Sequence, residues 1–543
     1  MTPIDELRAA VEAAAADLRN GTAPAGTPPT LERPKKAGFG DFSTNAAMLL
    51  APSLKAPPRE IAERLGEALS ERLGAQLERV EVAGPGFLNI FLADAWYTAA
   101  AAHVLAAGEG YGGGTATEPE RVLVELVSAN PTGPMHVGHA RNAAYGDALA
   151  RMLAFVGHDV QREYYVNDYG TQVLRFGESI QALARGQAVP ENGYKGAYVA
   201  ELAERIPDAA TAPVEDVARR AVELMVERIG ATLRSFRVEI DLWFSERSVH
   251  ESGLVEHAFE QLESMGSSYR SEGALWLRTS RFGDDKDRVL ERSSGEHTYF
   301  ASDIAYHEEK RERGFDRLVN VLGADHHGYV QRMKAAFEAL GGDPARLELL
   351  IMQFVHLVER GGRSSMSKRS GEFVTLEELV EEIGVDAARW FLLNRSHDTT
   401  IELDLDVARE ELPEKNPVHY VRYAHARIAS ILAEAGEERV AQALAAFEAP
   451  AALELHPSER ELVRKLLTFG AVVDEAVERR APHRVATYVL ELARVYAAFY
   501  RDCHVLKAPT EELKDFRLGL CVATRRTIAR SLDLLGVSAP ETM

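Results

Sequence analysis

Residues 122–147, VLVELVSANPTGPMHVGHARNAAYGD, decide how the rest of the chain is read. Val122, Leu123, Val124, Leu126 and Val127 make a short, β-branched apolar run, the pattern of a strand buried on both faces. Asn130-Pro131 and Gly133-Pro134 are turn signals that bar helix and reverse the chain. From His136 the period becomes helical, with Ala140, Ala143, Ala144, Ala148 and Leu149 along one face. Strand, turn and helix in that order put His136, Gly138 and His139 at a helix start, where unpaired N–H groups and the positive end of the dipole suit phosphate. The two imidazoles share a face and can donate to a triphosphate, and Gly138 lets a nucleotide approach the backbone. Taken alone, the same residues also read as a metal pair or as ordinary histidines at a helix start.

Working outward, strand and helix signals alternate. The spacing predicts strands at His158–Tyr165, Val238–Phe244, Ala274–Arg278, Arg317–Gly323 and Leu347–Leu357, with a long helical insertion before Arg237. Alternation of this kind implies an α/β, Rossmann-type parallel sheet whose ligands sit beyond the carboxyl ends of the strands. Upstream, helices over Thr2–Arg19 and Pro57–Leu77 precede two strands, Val80–Ala83 and Phe87–Leu92, giving a small α/β domain. The run GEGYGGG, 108–114, is a linker signal. Downstream of about Leu405 the strand signal stops, and long helices such as Tyr420–Ala433 and Ser458–Arg479 read as an all-α bundle. The expected domains are therefore 1–112, 113–404 and 405–543.

Composition narrows the function. The chain has 543 residues, 46% hydrophobic and 27% charged, with a formal net charge of −21. Such a length asks for more than one core, and the charge excludes a sequence-blind nucleic-acid coat while leaving room for local basic patches. Two cysteines, Cys503 and Cys521, cannot build a zinc cluster and fit a reducing cytoplasm. MTPIDELRAAVEAAAADL lacks the basic and apolar regions of a signal peptide, and no apolar run reaches membrane length.

A second element lies far downstream. SSMSKRSG, 364–371, presents Lys368 and Arg369 between small residues in a loop that follows another strand. A lysine is a point charge for phosphates and glycines let a loop close; a solvated basic turn is the alternative. No Walker A sequence competes for a nucleotide.

MHVGH and SMSKR, in this order, resemble the two signatures of class I aminoacyl-tRNA synthetases, and the surrounding sequence resembles the arginyl-tRNA synthetases over nearly the whole chain. GFGDFSTNAAMLLA and AGPGFLN are similar to that family's amino-terminal domain. ELVSANP, YFASDIAYH and GADHHGY are similar to its catalytic stretches, and HYVRYAHARIASIL and LLGVSAPETM to its anticodon-binding bundle. Ser365 stands where the second signature usually has its first lysine. The family often offsets such a loss with a lysine before the first signature, but Gly133-Pro134 occupy that place here and Lys368 is kept.

The resemblance implies roles residue by residue. His136, His139 and Lys368 would be catalytic. ATP would meet Pro131, His136, Gly138, His139, Gly323, Asp325, Met366 and Lys368. Arginine would meet Glu125, Asn130, His139, Tyr299, Asp303 and His326, a fixed cation needing carboxylates and an aromatic wall. If helical, Tyr299 and Asp303 share a face. The tRNA would meet Phe87 and Asn89 in the first domain and Tyr420, Tyr423, Arg427 and Met543 in the bundle, where aromatics interleaved with a cation suit unpaired bases. Asp386-Ala387-Ala388-Arg389 resembles a structural motif closing the catalytic domain. No protein-held metal is implied. The implied activity is ATP-dependent activation of L-arginine and its ligation to tRNA(Arg), with Mg²⁺ accompanying ATP, by a cytoplasmic monomer.

Overall fold

The computed structural model describes residues 2–19, 27–34, 36, 38–324, 328–363, 374–448 and 452–543. At its centre five strands run parallel, in the spatial order Leu347–Met352, Arg317–Gly323, Arg121–Glu125, Asp159–Val166, Leu242–Ser245. The chain adds strands on one side of Arg121–Glu125, then returns to add two on the other. That reversal creates a switch point between Arg121–Glu125 and Arg317–Gly323, the place where such sheets bind ligands. Helix Val137–Val156 packs against the sheet; Gly146 is required there, because a Cβ would lie 2.6 Å from that of Leu126.

Several expected elements change in detail. The first strand stops at Glu125, since Val127 and Ser128 have φ of +69° and +41°, a backbone that no strand can continue and that a β-branched residue adopts only under constraint. The stretch Leu347–Leu357 is two strands. Leu347–Met352 joins the central sheet, and Val355–Glu359 pairs in parallel with Ile401–Asp404 in a separate sheet. Ala274–Leu277 also leaves the central sheet and pairs antiparallel with Ser268–Ser271 and Arg288–Glu291. Val238–Phe244 shortens to Leu242–Ser245, and the helix expected over Ser458–Arg479 breaks into Pro457–Leu467 and Phe469–Glu478. The second amino-terminal helix ends at Leu73, ahead of Gly74 with φ of +49°, and Leu77 begins a strand.

The amino-terminal domain is a four-stranded antiparallel sheet in the order Leu31–Glu32, Phe42–Thr44, Phe87–Leu92, Leu77–Ala83, covered by helices Pro3–Arg19, Ala46–Leu54 and Pro58–Leu73. It docks on the carboxyl-terminal helices through buried polar contacts. Asp41 accepts from Leu92 N, Tyr97 and Arg464, and Arg460 pairs with Asp94 at 2.6 Å. The helical insertion between Asp159–Val166 and Leu242–Ser245 has its own apolar core, including Phe176, Ile180, Val199, Leu202, Val217 and Met225.

Arg389, fully buried, closes the catalytic domain. Its guanidinium donates to Asp147 Oδ2 at 2.5 Å, Phe236 O at 2.9 Å and Leu535 O at 2.8 Å. Asp386 beside it accepts from Arg237 at 2.5 Å and from both the N–H (2.8 Å) and hydroxyl (2.6 Å) of Ser538. The Asp386–Arg389 segment thus fastens the last turns of the chain to the helix carrying His136 and His139.

Candidate active site

His136 is the N-cap of helix Val137–Val156, and its Nδ1 accepts from Gly138 N at 3.1 Å. His139, at the third helical position, accepts from His136 N through its own Nδ1 at 3.4 Å. The rings stack with centroids 3.6 Å apart. Burial lowers the pKa of His136, and burial followed by the His136 ring brings His139 down to about 3. Both rings are therefore neutral near pH 7. With each Nδ1 accepting, the proton of each sits on Nε2. A helix start thus carries two neutral imidazoles, each with its proton on Nε2, at the positive end of the helix dipole, a setting that suits an anion.

The segment that follows the serine-rich loop returns to this helix start. Val137 N donates to Val374 O at 3.1 Å and Leu376 N to Met135 O at 2.8 Å. Lys368 and Met366 themselves lie outside the described residues, as do Asp325 and His326.

At the switch point lies a cavity of about 370 Å³, lined among others by Glu125, Ser128, Tyr165, Tyr299, Asp303, Gly323 and Tyr329. Asp303 follows Tyr299 by one turn on helix Tyr299–Glu312, which is capped by Thr298, so the expected shared face exists. Burial pushes Asp303 up to about 7, against the opposing hydrogen bond from Tyr329 and with Glu125 adding to the rise. Glu246, at 8% exposure, is likewise pushed up to about 7, by burial first and then by Asp303 and Asp168. Tyr165 rises through burial and the carboxylates of Glu246, Asp303, Glu125 and Asp168 around it, and its buried hydroxyl has no hydrogen-bond partner among the described residues. Carboxyls that burial keeps partly protonated, gathered around the Tyr165 phenol, can receive a cationic group.

Behind this cup a buried chain of contacts fixes Glu125. Lys310 Nζ lies 2.5 Å from Glu125 Oε2, and Ser128 donates to Oε1 at 2.8 Å. Lys310 also reaches Asn320 Oδ1 at 3.5 Å and lies over the Tyr306 ring at 4.0 Å. Asn320 Nδ2 donates to His307 Nε2 at 2.8 Å, and His307 Nδ1 donates to Asp303 O at 2.7 Å. Burial, with Lys310 second, lowers His307 to about 3, so its ring is a neutral strut.

The structure gathers Glu125, Tyr299, Asp303 and Gly323 around one cavity. His136, Gly138 and His139 form the adjoining helix start, with Pro131 buried in the turn before it. Asn130 is exposed on that turn and is not part of the cavity wall; its amide donates to Gln172 at 3.1 Å. Tyr299 is 73% exposed at the mouth. Of the residues expected at tRNA, Phe87, Tyr423, Arg427 and Met543 are exposed and Tyr420 is half-buried. Asn89 is only 4% exposed, held in the sheet between Ser43 and Glu81, and presents little of itself to a partner. Arg427 packs on the rings of Tyr423 (6.0 Å) and Tyr500 (4.4 Å), so Tyr500 extends the expected stripe.

Sequence reasoning missed Glu246, Tyr165, Lys310, Asn320 and His307. A signal existed for Asn320, the polar interruption of the apolar strand RLVNVLG. Glu246 and Lys310 carried none, since acids and lysines on helices are ordinary surface residues.

A model of the class I (R) tRNA synthetase catalytic domain matches residues 101–204 and 213–429. The arginyl tRNA synthetase N-terminal domain matches 5–92 and the DALR anticodon binding domain 421–543. The chain is 46% identical to the arginine–tRNA ligase of Frankia alni, covering 100% of both chains. It is 44% identical to that of Geobacillus thermodenitrificans over 94% of each. Among solved structures it is similar to Thermus thermophilus arginyl-tRNA synthetase, with a TM-score of 0.74 at 27% identity over 99% of this chain and 100% of that one.

Proposed function

Since this chain belongs to the arginyl-tRNA synthetases, we propose that the carboxylate cup of Glu125, Glu246 and Asp303 receives the cationic groups of arginine and that the His136–His139 helix start receives the triphosphate of ATP. The enzyme activates L-arginine with ATP and ligates it to the 3′-terminal adenosine of tRNA(Arg) through an arginyl-adenylate. The observation that carries the site assignment is the unpartnered Tyr165 hydroxyl among carboxyls that retain protons, one strand end away from two neutral N–H donors.

In the first step an arginine carboxylate oxygen attacks the α-phosphorus of ATP and pyrophosphate leaves. A carboxylate is already a nucleophile, so no general base is required, and the protein contributes position and charge stabilisation. The Nε2–H groups of His136 and His139 donate to phosphate oxygens as charge builds, and they need no proton exchange, because both rings stay neutral. Lys368 supplies a positive charge from the second signature, whose downstream flank is hydrogen-bonded to Met135 and Val137. In the second step the 2′-hydroxyl of the terminal adenosine attacks the arginyl carbonyl and AMP leaves.

Magnesium is assigned to the nucleotide. Among the described residues no group of three or more His, Cys, Asp or Glu is arranged to hold a metal, and the phosphates would carry the ion. Transfer RNA is assigned to Phe87 on the first domain (1–112) and to the Tyr420, Tyr423, Arg427 face and Met543 on the bundle (405–543), with the catalytic domain (113–404) between. A cytoplasmic monomer is the assembly proposed. No helix among the described residues is long and apolar enough to cross a membrane.

ATP–pyrophosphate exchange, run with each amino acid and with or without tRNA, tests the reading. Exchange is expected with arginine and to depend on tRNA. Exchange driven by another amino acid overturns the pocket assignment.

A further inference from the structure

The turn that joins the two halves of the active site is irregular from Leu126 to Met135, so its backbone carbonyls must find partners outside a strand or helix. Four of them do so as follows. Leu126 O accepts from Ser128 N at 2.9 Å, Ser128 O from Asn167 Nδ2 at 3.1 Å and Ala129 O from the Tyr164 hydroxyl at 2.8 Å. Tyr164 and Asn167 belong to the end of the neighbouring central strand. Thr132 O is different: it accepts, at 2.9 Å, from the hydroxyl of Tyr198, which comes from the helical insertion. A second tip of the insertion, Gln172, accepts from Asn130 at 3.1 Å.

The ring of Tyr198 packs 6.3 Å from Phe176 within the insertion's own core. A phenylalanine would serve that packing equally well, which leaves the hydroxyl to serve the turn. The hydroxyl also sits over Gly133, where a Cβ would approach it to 3.4 Å. The turn needs holding, since it begins with two non-glycine residues in the left-handed region, Val127 and Ser128, a conformation that persists only when its surroundings over-determine it.

We propose that the helical insertion sets the geometry of the Asn130–Gly133 turn through the Tyr198 hydroxyl, making Tyr198 a positioning residue for arginine activation. Tyr198 is not among the residues that line the cavity at the switch point. It fixes Thr132 O, and with it the spacing between Glu125 at the strand end and His136 at the helix start. This proposal rests on the assignment of those two groups to arginine and ATP.

The test is tRNA-dependent ATP–pyrophosphate exchange by the full-length chain with Tyr198→Phe, alongside thermal unfolding. One hydrogen bond to a backbone carbonyl is lost, so kcat/KM for arginine is expected to fall about five- to tenfold, while Tm moves by less than about 2 °C and KM for tRNA stays at the wild-type value. Gln172→Leu should shift the same parameter in the same direction, and Gln172→Glu, which keeps an accepting oxygen, should restore it. Wild-type kinetics in Tyr198→Phe, or a loss of activity that only follows a lowered Tm, overturns the proposal. Absence of arginine-dependent exchange in the wild type overturns the site assignment itself, so the two failures are distinguishable.

Discussion

Asp303 and Glu246 set the protonation behaviour of the pocket proposed for arginine. Each is held at about 7, well above the roughly 4 of a solvated carboxyl. A guanidinium binds the ionised form, so bound arginine lowers both values and protons leave. Below pH 7 the cup fills with protons and arginine competes with them. Calorimetry in buffers of different ionisation enthalpy should show proton release on arginine binding near pH 6.5, and the rise in Tm caused by arginine should grow from pH 5 to pH 7.5. Removing a charged partner from a buried pair costs about 2–5 kcal/mol, so Asp303→Ala is expected to raise KM for arginine about thirtyfold or more, read from saturation curves. Lys368→Ala should instead depress adenylate formation far more than arginine binding, and equal losses in exchange rate and binding would remove Lys368 from the phosphate site. Glu125, Tyr299 and Asp303 were legible from the motifs around them. Glu246 was not, because its role arises only where strand Leu242–Ser245 ends beside a helix 57 residues further on.

For the first-signature helix, capping and the proposed phosphate contact fall on the same ring of His136. Its Nδ1 satisfies Gly138 N, which leaves the proton on Nε2. The two tasks separate by mutation. His136→Asn keeps a good N-cap and loses the outward donor, so unfolding temperature should stay near wild type while kcat falls about tenfold or more, as for loss of one donor to a developing anion. His136→Ala should lose the cap as well, about 1 kcal/mol. A His136→Asn enzyme with wild-type kcat would confine His136 to capping. The helix was readable because turn and period changed together at Met135. The end of the preceding strand was not, because Leu126 and Val127 continue the apolar pattern while Ser128 N turns back to Leu126 O and Tyr165 N donates to Ser128 Oγ. Leu347–Leu357 misled for a related reason. Neither Gln353 nor Phe354 punctuates a sequence, and the break follows from Arg141, a buried residue of the signature helix, which donates to Gln353 O at 2.6 Å.

Across the whole molecule, ionic contacts join what composition keeps apart. In the sequence the glycine run at 108–114 reads as the first boundary; the second is blurred because Ile401–Asp404 pairs with Val355–Glu359 just before the bundle helices. Arg389 and Asp386 bind the bundle's last residues to the catalytic domain; their charge alone reads as surface, and only the resemblance of Asp386-Ala387-Ala388-Arg389 to a closing motif marked them as structural. Arg389→Met is expected to lower stability by about 3–5 kcal/mol, since Asp147 loses a partner in a buried site, and thermal unfolding should show it. Gly536→Ala should destabilise by the same contact, because its Cβ would fall 2.3 Å from the guanidinium. A net charge of −21 also means that tRNA must find local basic surfaces, so KM for tRNA should rise steeply with salt while KM for arginine changes little.

Lys310 carries one more consequence. An aminoacyl-adenylate is a mixed anhydride, an acylating agent that amines attack readily, and the pocket proposed for its amino acid has a lysine behind its wall. That amine is fully buried behind Glu125, ion-paired at 2.5 Å and covered by the Tyr306 ring. An ammonium in that setting offers no lone pair to the anhydride. With arginine activated in that pocket, the same burial would keep this amine from the anhydride, leaving the tRNA hydroxyl as the nucleophile with access.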